Sequence, residues 1–461
     1  MSRCHHGMVE GRGCAHLKLG HFGRLFPHLE PLFSHDSLLE ALGKPGGIMD
    51  GDRTPDSNIP AGYTFFAQFV DHDVTLDTKT KLDSDQVQDP NKVPNFRSPS
   101  LDLDCVYGFG PEASAHLYEG STEKVITGTA ANPEDLARAK DGTALIGDPR
   151  NDENIFVNQM HNLFIKLHNK FIDSGYEFEE AQRESRYHYQ YIVLHDFLKR
   201  VCDPVIYKFA LERLYRREFP LCYEPDEHGG LFMPVEFSVA AYRFGHSMVR
   251  SQYRVRNTAS GRIRRVELFD DTLMAGGFTA LPPEITLDWR LLLDIDGSRP
   301  DASKAIDARL ATELNNLPFL EAGEPNPNRR SLAFRNLLRG RSLGLPSGQA
   351  VAEALADCGY PIEPEVLSLP ARRFPGVGAL SAKDKHALQH ETPLFFYLLA
   401  EGGDNDHLGP TGSAILMEVF GGMLTFCKGT FLSDLSWSPD NDIVSSDHNL
   451  TLGDIARYVS S

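Results

Sequence analysis

Long apolar runs are missing from this chain. The longest, Leu394 to Ala400, falls far short of the roughly 20 residues a membrane-spanning helix needs. The segment Met1 to Gly20 has no apolar core of signal-peptide length, so cytoplasmic residence is the default expectation, with export by a signal-less route as the alternative. Cysteine is sparse and unpatterned. The seven cysteines, Cys4, Cys14, Cys105, Cys202, Cys222, Cys358 and Cys427, are odd in number and form no CxxC pair, which excludes the reading of a disulfide framework. Cys4, His5, His6, Cys14, His16 and His21 match no standard zinc-finger spacing. Positive charge is in deficit: 46 Lys and Arg against 64 Asp and Glu give a net charge of -18. That balance argues against nucleic acid or an anionic membrane as partner. There is no internal repeat, no low-complexity tract and little strand-like alternation.

What is present is helical patterning. The 461 residues, 41% apolar and 24% charged, suffice for one large domain. Ile155, Met160, Leu163, Phe164, Leu167 and Phe171 form a stripe at three- and four-residue spacing. Further helices are expected over 180–201, 235–249, 332–338, 395–400 and 415–425. Stretches rich in Gly, Pro, Asp and Ser at 44–60 and 80–120 read as irregular. The expected fold is mainly α with long loops. An irregular lead-in over 1–60 packs on the surface, one main domain spans 61–435, and a tail spans 436–461.

Five segments carry chemistry. In Gln68-Phe69-Val70-Asp71-His72-Asp73 a histidine sits between two carboxylates inside an apolar run. Successive helical residues turn by about 100°, so Asp71, His72 and Asp73 would face three different targets. Read alone, the triplet also describes an exposed polar helix end. In Ser98-Pro99-Ser100-Leu101-Asp102-Leu103-Asp104 oxygen-bearing side chains recur at every second position. In an extended loop Ser98, Ser100, Asp102 and Asp104 would share one side and could converge on a hard cation such as Ca²⁺; a polar surface loop has the same composition. The turn Gly147 to Glu153 precedes the striped helix and carries Arg150, Asp152 and Glu153, which also suit helix capping and an exposed ion pair. Tyr242-Arg243-Phe244-Gly245-His246 places a histidine after a residue without a side chain, so another body can approach closely. Arg335-Asn336-Leu337-Leu338-Arg339 sets an amide among guanidinium groups, also the pattern of a solvated basic face.

In this order and spacing the five segments resemble the haem peroxidase family that includes the animal peroxidases, and most of all its compact bacterial branch. Ala61-Gly62-Tyr63-Thr64, Val106-Tyr107-Gly108 and Leu408-Gly409-Pro410 extend the likeness over roughly Gly23 to Leu432. The resemblance implies a helical fold around a buried haem b. It makes His72 the distal acid–base residue, Arg150 its charge-stabilising partner and Gln68 part of the halide and water site. It makes His246 the iron ligand and Asn336 the residue that orients it. Arg243 and Arg339 would lie near the haem periphery, offsetting propionate charge. Asp73 would join Ser98, Ser100, Asp102 and Asp104 around Ca²⁺, Ser100 through its backbone carbonyl. Asp71 and Glu153 match carboxylates that can be esterified to haem.

The implied activity is reduction of hydrogen peroxide with oxidation of halides, pseudohalides or small organic donors. Members with a sulfonium link carry methionine where this chain has Asn154, so iodide, bromide, thiocyanate or small phenols are expected rather than chloride. Two alternatives stand beside this reading. A fatty-acid dioxygenase of the cyclooxygenase type would place a tyrosine three residues before the iron ligand, where this chain has Arg243. A haem- or Ca²⁺-binding adhesion protein would need neither His72 nor Arg150.

Overall fold

The segment Gly62–Val74 forms a helix that is enclosed by protein on most sides, and its first amides find carbonyl partners elsewhere. In the computed structural model Gly62–Val74 is helical and eleven of its residues are buried, among them Phe65, Phe66, Phe69, Val70 and Val74, the pattern of a helix enclosed by protein. No side chain caps its start. Ala61 N–H donates instead to Asp301 O at 2.7 Å, and Gly62 N–H to Leu292 O at 2.8 Å. Glycine is required at 62, since a Cβ there would lie 2.9 Å from Leu292 O and 2.6 Å from a Leu293 methyl.

The structure describes residues 20–51, 56–82, 87–120, 122–129, 131–227, 229–257, 260–270, 277–318, 326–364, 366–370, 373–403, 405–444 and 449–461. The cysteines and histidines at positions 4–16 lie outside them. Ten helices organise the described residues around the site: α1 Asp36–Gly43, α2 Gly62–Val74, α3 Ile155–Asp173, α4 Phe178–Ile192, α5 Pro204–Tyr215, α6 Leu332–Ser342, α7 Gly348–Asp357, α8 Leu394–Glu401, α9 Pro410–Phe426 and α10 Leu452–Ser460. The architecture is mainly helical. Sheet is confined to short pieces. β1 (Gly20–Gly23) pairs antiparallel with β2 (Pro94–Asn95) and parallel with β3 (Met233–Pro234), and the hairpin β4 (Gln252–Asn257) to β5 (Ile263–Glu267) is antiparallel. No helix among the described residues is long and apolar enough to cross a membrane.

Ring stacking docks α2 on α3. Phe65 stacks on Phe156 at 4.3 Å and Phe69 on Phe164 at 5.0 Å. Phe66 lies edge-on to Phe197 at 5.5 Å and to Tyr189 at 6.2 Å and also stacks on Phe164 at 6.2 Å. Phe66 has no exposed surface. Phe66→Ala is expected to cost about 3–5 kcal/mol of stability, read as a lower midpoint in urea unfolding. An unchanged midpoint would show that this contact does not carry the core. Within the stretch read as a lead-in, α1 is helical and buries Leu38, Leu39 and Leu42. The C-terminal α10 starts on a capping box between Thr451 and Asp454.

Two expected helices differ in form. The one read as 180–201 is α-helical to Ile192 and then widens to π geometry over Val193–Phe197. The wide turn presents Asp196, which accepts hydrogen bonds from the Tyr63 hydroxyl and from Leu452 N–H, tying the start of α2 to that of α10. The helix read as 235–249 is a π turn, Glu236–Ala240, followed by tight 3₁₀ turns, Ala241–His246. Within it the buried Glu236 carboxylate accepts the N–H groups of Leu25 and Phe26, and Arg243 Nε donates to Ser238 O at 2.8 Å, a carbonyl that a regular ladder would use.

Candidate functional site

Residues from α2, the turn before α3, the 3₁₀ segment and α6 line one cavity of about 770 Å³, within the range of roughly 300–1,000 Å³ common for small-molecule and cofactor sites. Its wall carries Gln68, Asp71, His72, Arg150, Glu153, Asn154, Arg243, His246, Asn336 and Arg339 together with apolar side chains such as Phe65, Val235, Val239 and Leu317. Every residue expected at the haem site by the sequence reading is therefore on this wall. Asp73 is not. As the helical rotation of successive side chains requires, it points instead to the cation loop.

His72 is buried, and its Nδ1 lies 2.8 Å from Asn151 Oδ1. Burial and the neighbouring Arg150 charge hold its pKa down to about 4, against the opposite pull of Asp148, Asp71 and the Asn151 bond. It is neutral at neutral pH and able to accept a proton. Arg150 is clamped from several sides. Asp148 takes Nε at 3.1 Å and Nη2 at 2.7 Å, and Nη2 also donates to the carbonyls of His72 and Thr75 at the end of α2. Asp148 is fully buried, yet Arg150 and Arg97 hold it ionised, well below the usual carboxylate range, against the upward push of burial.

His246 faces the same cavity, and its Nδ1 lies 2.9 Å from the Asn336 side-chain amide. Burial, with Arg243 nearby, pushes its pKa down to about 3, so the ring is a neutral donor of the kind metals bind. Asn336 Nδ2 is the atom set toward Nδ1; with the amide turned over, its carbonyl accepts Nδ1–H and Nε2 keeps its lone pair. A Cβ built on Gly245 would meet no heavy atom closer than Ala67 Cβ at 3.9 Å, so the backbone beside His246 borders open cavity. A large apolar space, a neutral imidazole with an anchored Nδ1, and a bare backbone next to it together fit a haem.

The carboxylates on the wall differ in charge state. Asp71 faces Arg243 at 3.6 Å and accepts a bond from Thr75 Oγ1 at 3.0 Å. Burial raises its pKa, but Arg243, His72 and Arg150 together bring it below the ordinary value. Glu153 is pushed up to about 7 by burial, with Asp148 and Asp71 adding to the rise. Gln68 donates to Glu153 and accepts from Asn154 Nδ2 at 3.3 Å. Asn154 also caps α3, its Oδ1 accepting the N–H groups of Phe156 and Val157. The two arginines expected near the haem periphery already face carboxylates, Arg243 meeting Asp71 and Arg339 meeting Asp77 at 2.9 Å.

Asp73, Asp102 and Asp104 offer oxygens that all lie within 4.8 Å of one another. Burial and the Asp102 charge raise Asp73 to about 7, and Asp102 and Asp104 are raised as well, by burial first. Asp73 Oδ2 accepts Leu103 N–H at 3.2 Å, whereas Oδ1 is buried without a hydrogen bond. Such a cluster is costly unless a cation or protons neutralise it, and its all-oxygen donor set suits Ca²⁺. Ser98 Oγ donates to Asp102 at 2.8 Å. Beside this loop the Cys427 thiol donates to Pro99 O at 3.7 Å.

Three members of this arrangement carried no role in the sequence reading. Asn151 holds His72, and Asp148 holds Arg150. Arg97 bridges Asp148 at 2.7 Å and Asp104 at 3.2 Å. Gly147 lets these loops meet, since a Cβ there would lie 2.4 Å from Cys105 O. Tyr242 also lines the cavity, stacked on Phe237 at 4.8 Å.

Comparison with known proteins assigns this arrangement to a class. The model of the animal haem peroxidase family matches residues 78–357, more than half of the chain. The protein belongs to that family. The matched segment starts after His72 and includes Arg150, His246 and Asn336. A peroxidase-like protein of Margaritifera margaritifera is 28% identical over 185 residues, covering 35% of this chain and 23% of that relative, so the likeness spans under a quarter of the relative's length. Peroxidase A of Dictyostelium discoideum superposes with a TM-score of 0.65 at 16% identity, covering 96% of this chain and 93% of the other. Fatty acid alpha-dioxygenase of Oryza sativa gives 0.61 at 17% identity, covering 86% and 74%. At these identities the two structures establish the fold alone.

Proposed function

We propose that the protein is a haem b peroxidase that reduces hydrogen peroxide and oxidises halides, pseudohalides or small organic donors. The observation that carries this reading is that two neutral imidazoles, His72 and His246, share one cavity, each held at Nδ1 by an asparagine, with Arg150 beside the first. Bound haem would supply the iron at which peroxide is reduced. His246 would hold the iron through Nε2, oriented by Asn336. His72 Nε2 takes a proton from the near oxygen of peroxide and returns it to the far oxygen, which leaves as water. Arg150 stabilises negative charge on that departing oxygen through its guanidinium. Gln68 occupies the wall one turn before His72 and suits a water or halide position. Ca²⁺ is the proposed ion for Asp73, Asp102 and Asp104, with Ser98 and Ser100 completing its shell. Asp71 and Glu153 are the proposed sites of ester links to haem.

One preparation tests both iron ligation and attachment. Protein supplied with haemin is expected to show a Soret band that is lost or displaced in His246→Ala. After turnover with peroxide, acidic acetone is expected to leave haem with the wild-type chain and to extract it from the Asp71→Ala, Glu153→Ala double variant. A Soret band indifferent to His246 would remove the proposed ligand. The cavity position of Tyr242 favours a second reading, oxygenation of a long-chain fatty acid; oxygen uptake with such a substrate that requires Tyr242 would support it over the peroxidase.

A further inference from the structure

His161 on α3 makes no contact with the cavity wall yet is bonded to the residue that holds His72. It has no exposed surface. Its Nδ1 lies 2.9 Å from Asn151 Nδ2, and Asn151 Oδ1 lies 2.8 Å from His72 Nδ1. The three side chains form a buried file, His161–Asn151–His72, with Phe69 edge-on to the His161 ring at 6.0 Å. His161 Nε2 is buried without a hydrogen-bond partner. As packing alone this is a poor solution, because a buried ring nitrogen without a partner carries a desolvation cost that an apolar ring would not.

The file has a direction. An amide presents a donor on one side and an acceptor on the other. With Nδ2 toward His161, that ring must accept at Nδ1 and carry its own proton on Nε2. Oδ1 then faces His72, whose Nδ1 must carry a proton and whose Nε2 keeps the lone pair. Turning the amide over reverses each assignment and puts a proton on His72 Nε2, where it blocks proton acceptance. The charged and titratable groups acting on His161 are Asp148, Arg97 and His72. Burial holds its pKa down to about 3, so the ring is neutral and Nδ1 is free to accept.

We infer that His161 and Asn151 are positioning residues that select the His72 tautomer with its lone pair on Nε2. The inference rests on the peroxidase reading for its functional consequence but not for the tautomer itself. Two measurements separate them: nitrogen-15 NMR of histidine-labelled, haem-free full-length chain, which reports the protonated nitrogen of His72, and stopped-flow reaction of the haem-loaded chain with hydrogen peroxide. Wild type is expected to carry the His72 proton on Nδ1. His161→Leu, which removes the acceptor, is expected to admit the Nε2–H form and to slow the peroxide reaction by about 10–100-fold, as loss of an orienting bond around a metal site typically does. His161→Gln, whose side-chain oxygen can accept from Asn151, is expected to recover most of the rate; a merely structural role would not separate the two variants. A wild-type His72 protonated on Nε2, or a His161→Leu protein with unchanged tautomer and rate, overturns the inference. If His161→Leu fails to fold, the wild-type tautomer still decides. Wild-type protein that shows Nδ1–H and binds haem but ignores peroxide would instead overturn the proposed function and leave the tautomer assignment standing.

Discussion

His72→Ala is expected to slow the reaction with hydrogen peroxide by about 10²- to 10⁴-fold, the usual contribution of a positioned general acid–base group, while haem stays bound. The expectation follows from how little else on the cavity wall can take over. Arg150 is held by Asp148 and by the carbonyls of His72 and Thr75, and a guanidinium has no lone pair with which to accept a proton. Glu153 accepts a hydrogen bond from Gln68, and its raised pKa, about 7, leaves it partly protonated near neutrality. Asp71 is committed to Arg243 and Thr75. His246, whose Nδ1 is bonded to Asn336, is untouched by the substitution, so the Soret band of the variant should match that of wild type. The measurement is the second-order rate constant with peroxide by stopped flow. A variant that keeps haem and reacts as fast as wild type would show that no proton passes through this imidazole.

The site was legible in the sequence wherever one short segment carries several roles. Asp71, His72 and Asp73 are consecutive, and helix geometry alone predicts that they diverge. Asp71 and His72 do line the cavity, and Asp73 turns to Asp102 and Asp104. The stripe before Phe171 likewise gave α3, because its period matches the buried face. Roles that depend on distant packing were not legible. Arg97 reads as one more charged loop residue until folding sets it between Asp148 and Asp104. Asn151 reads as part of a turn until His72 and His161 arrive on either side of it. The segment before His246 has a helical pattern, and nothing local announces that it takes π and then 3₁₀ geometry or that the Glu236 carboxylate will take backbone amides from Leu25 and Phe26. Several helices had local signals that went unused. Asp203 caps α5 just before Pro204, Ser347 caps α7, and Thr451 with Asp454 forms a box at the start of α10. These signals are short, and among the segments they introduce α5 is weakly patterned whereas α10 carries a strong apolar face.

Chelation of Ca²⁺ is expected to destabilise the protein, and to do so far more above pH 7 than in mild acid. In the ion-free chain burial and the Asp102 charge raise Asp73 from 3.8 to about 7. An unfolded chain would hold this carboxyl at its ordinary pKa. Between those two values the folded state therefore binds more protons than the unfolded one. By linkage, stability of the ion-free protein falls as pH rises through that window and stays low beyond it. Asp102 and Asp104 are raised as well and act in the same direction. A divalent cation replaces the protons, so its binding strengthens as they leave. At a free concentration about a hundred times its dissociation constant it adds about 2.7 kcal/mol. The thermal midpoint with Ca²⁺ should exceed that with chelator by several degrees at about pH 8 and by much less at about pH 5. The effect should reach the peroxide site by two routes. Asp73 adjoins His72 in α2, and Arg97 connects Asp104 to Asp148, which clamps Arg150. Chelated protein is accordingly expected to lose its peroxide reaction before it unfolds. Equal midpoints with and without Ca²⁺ at both pH values would mean that the three carboxylates keep their protons and bind no ion.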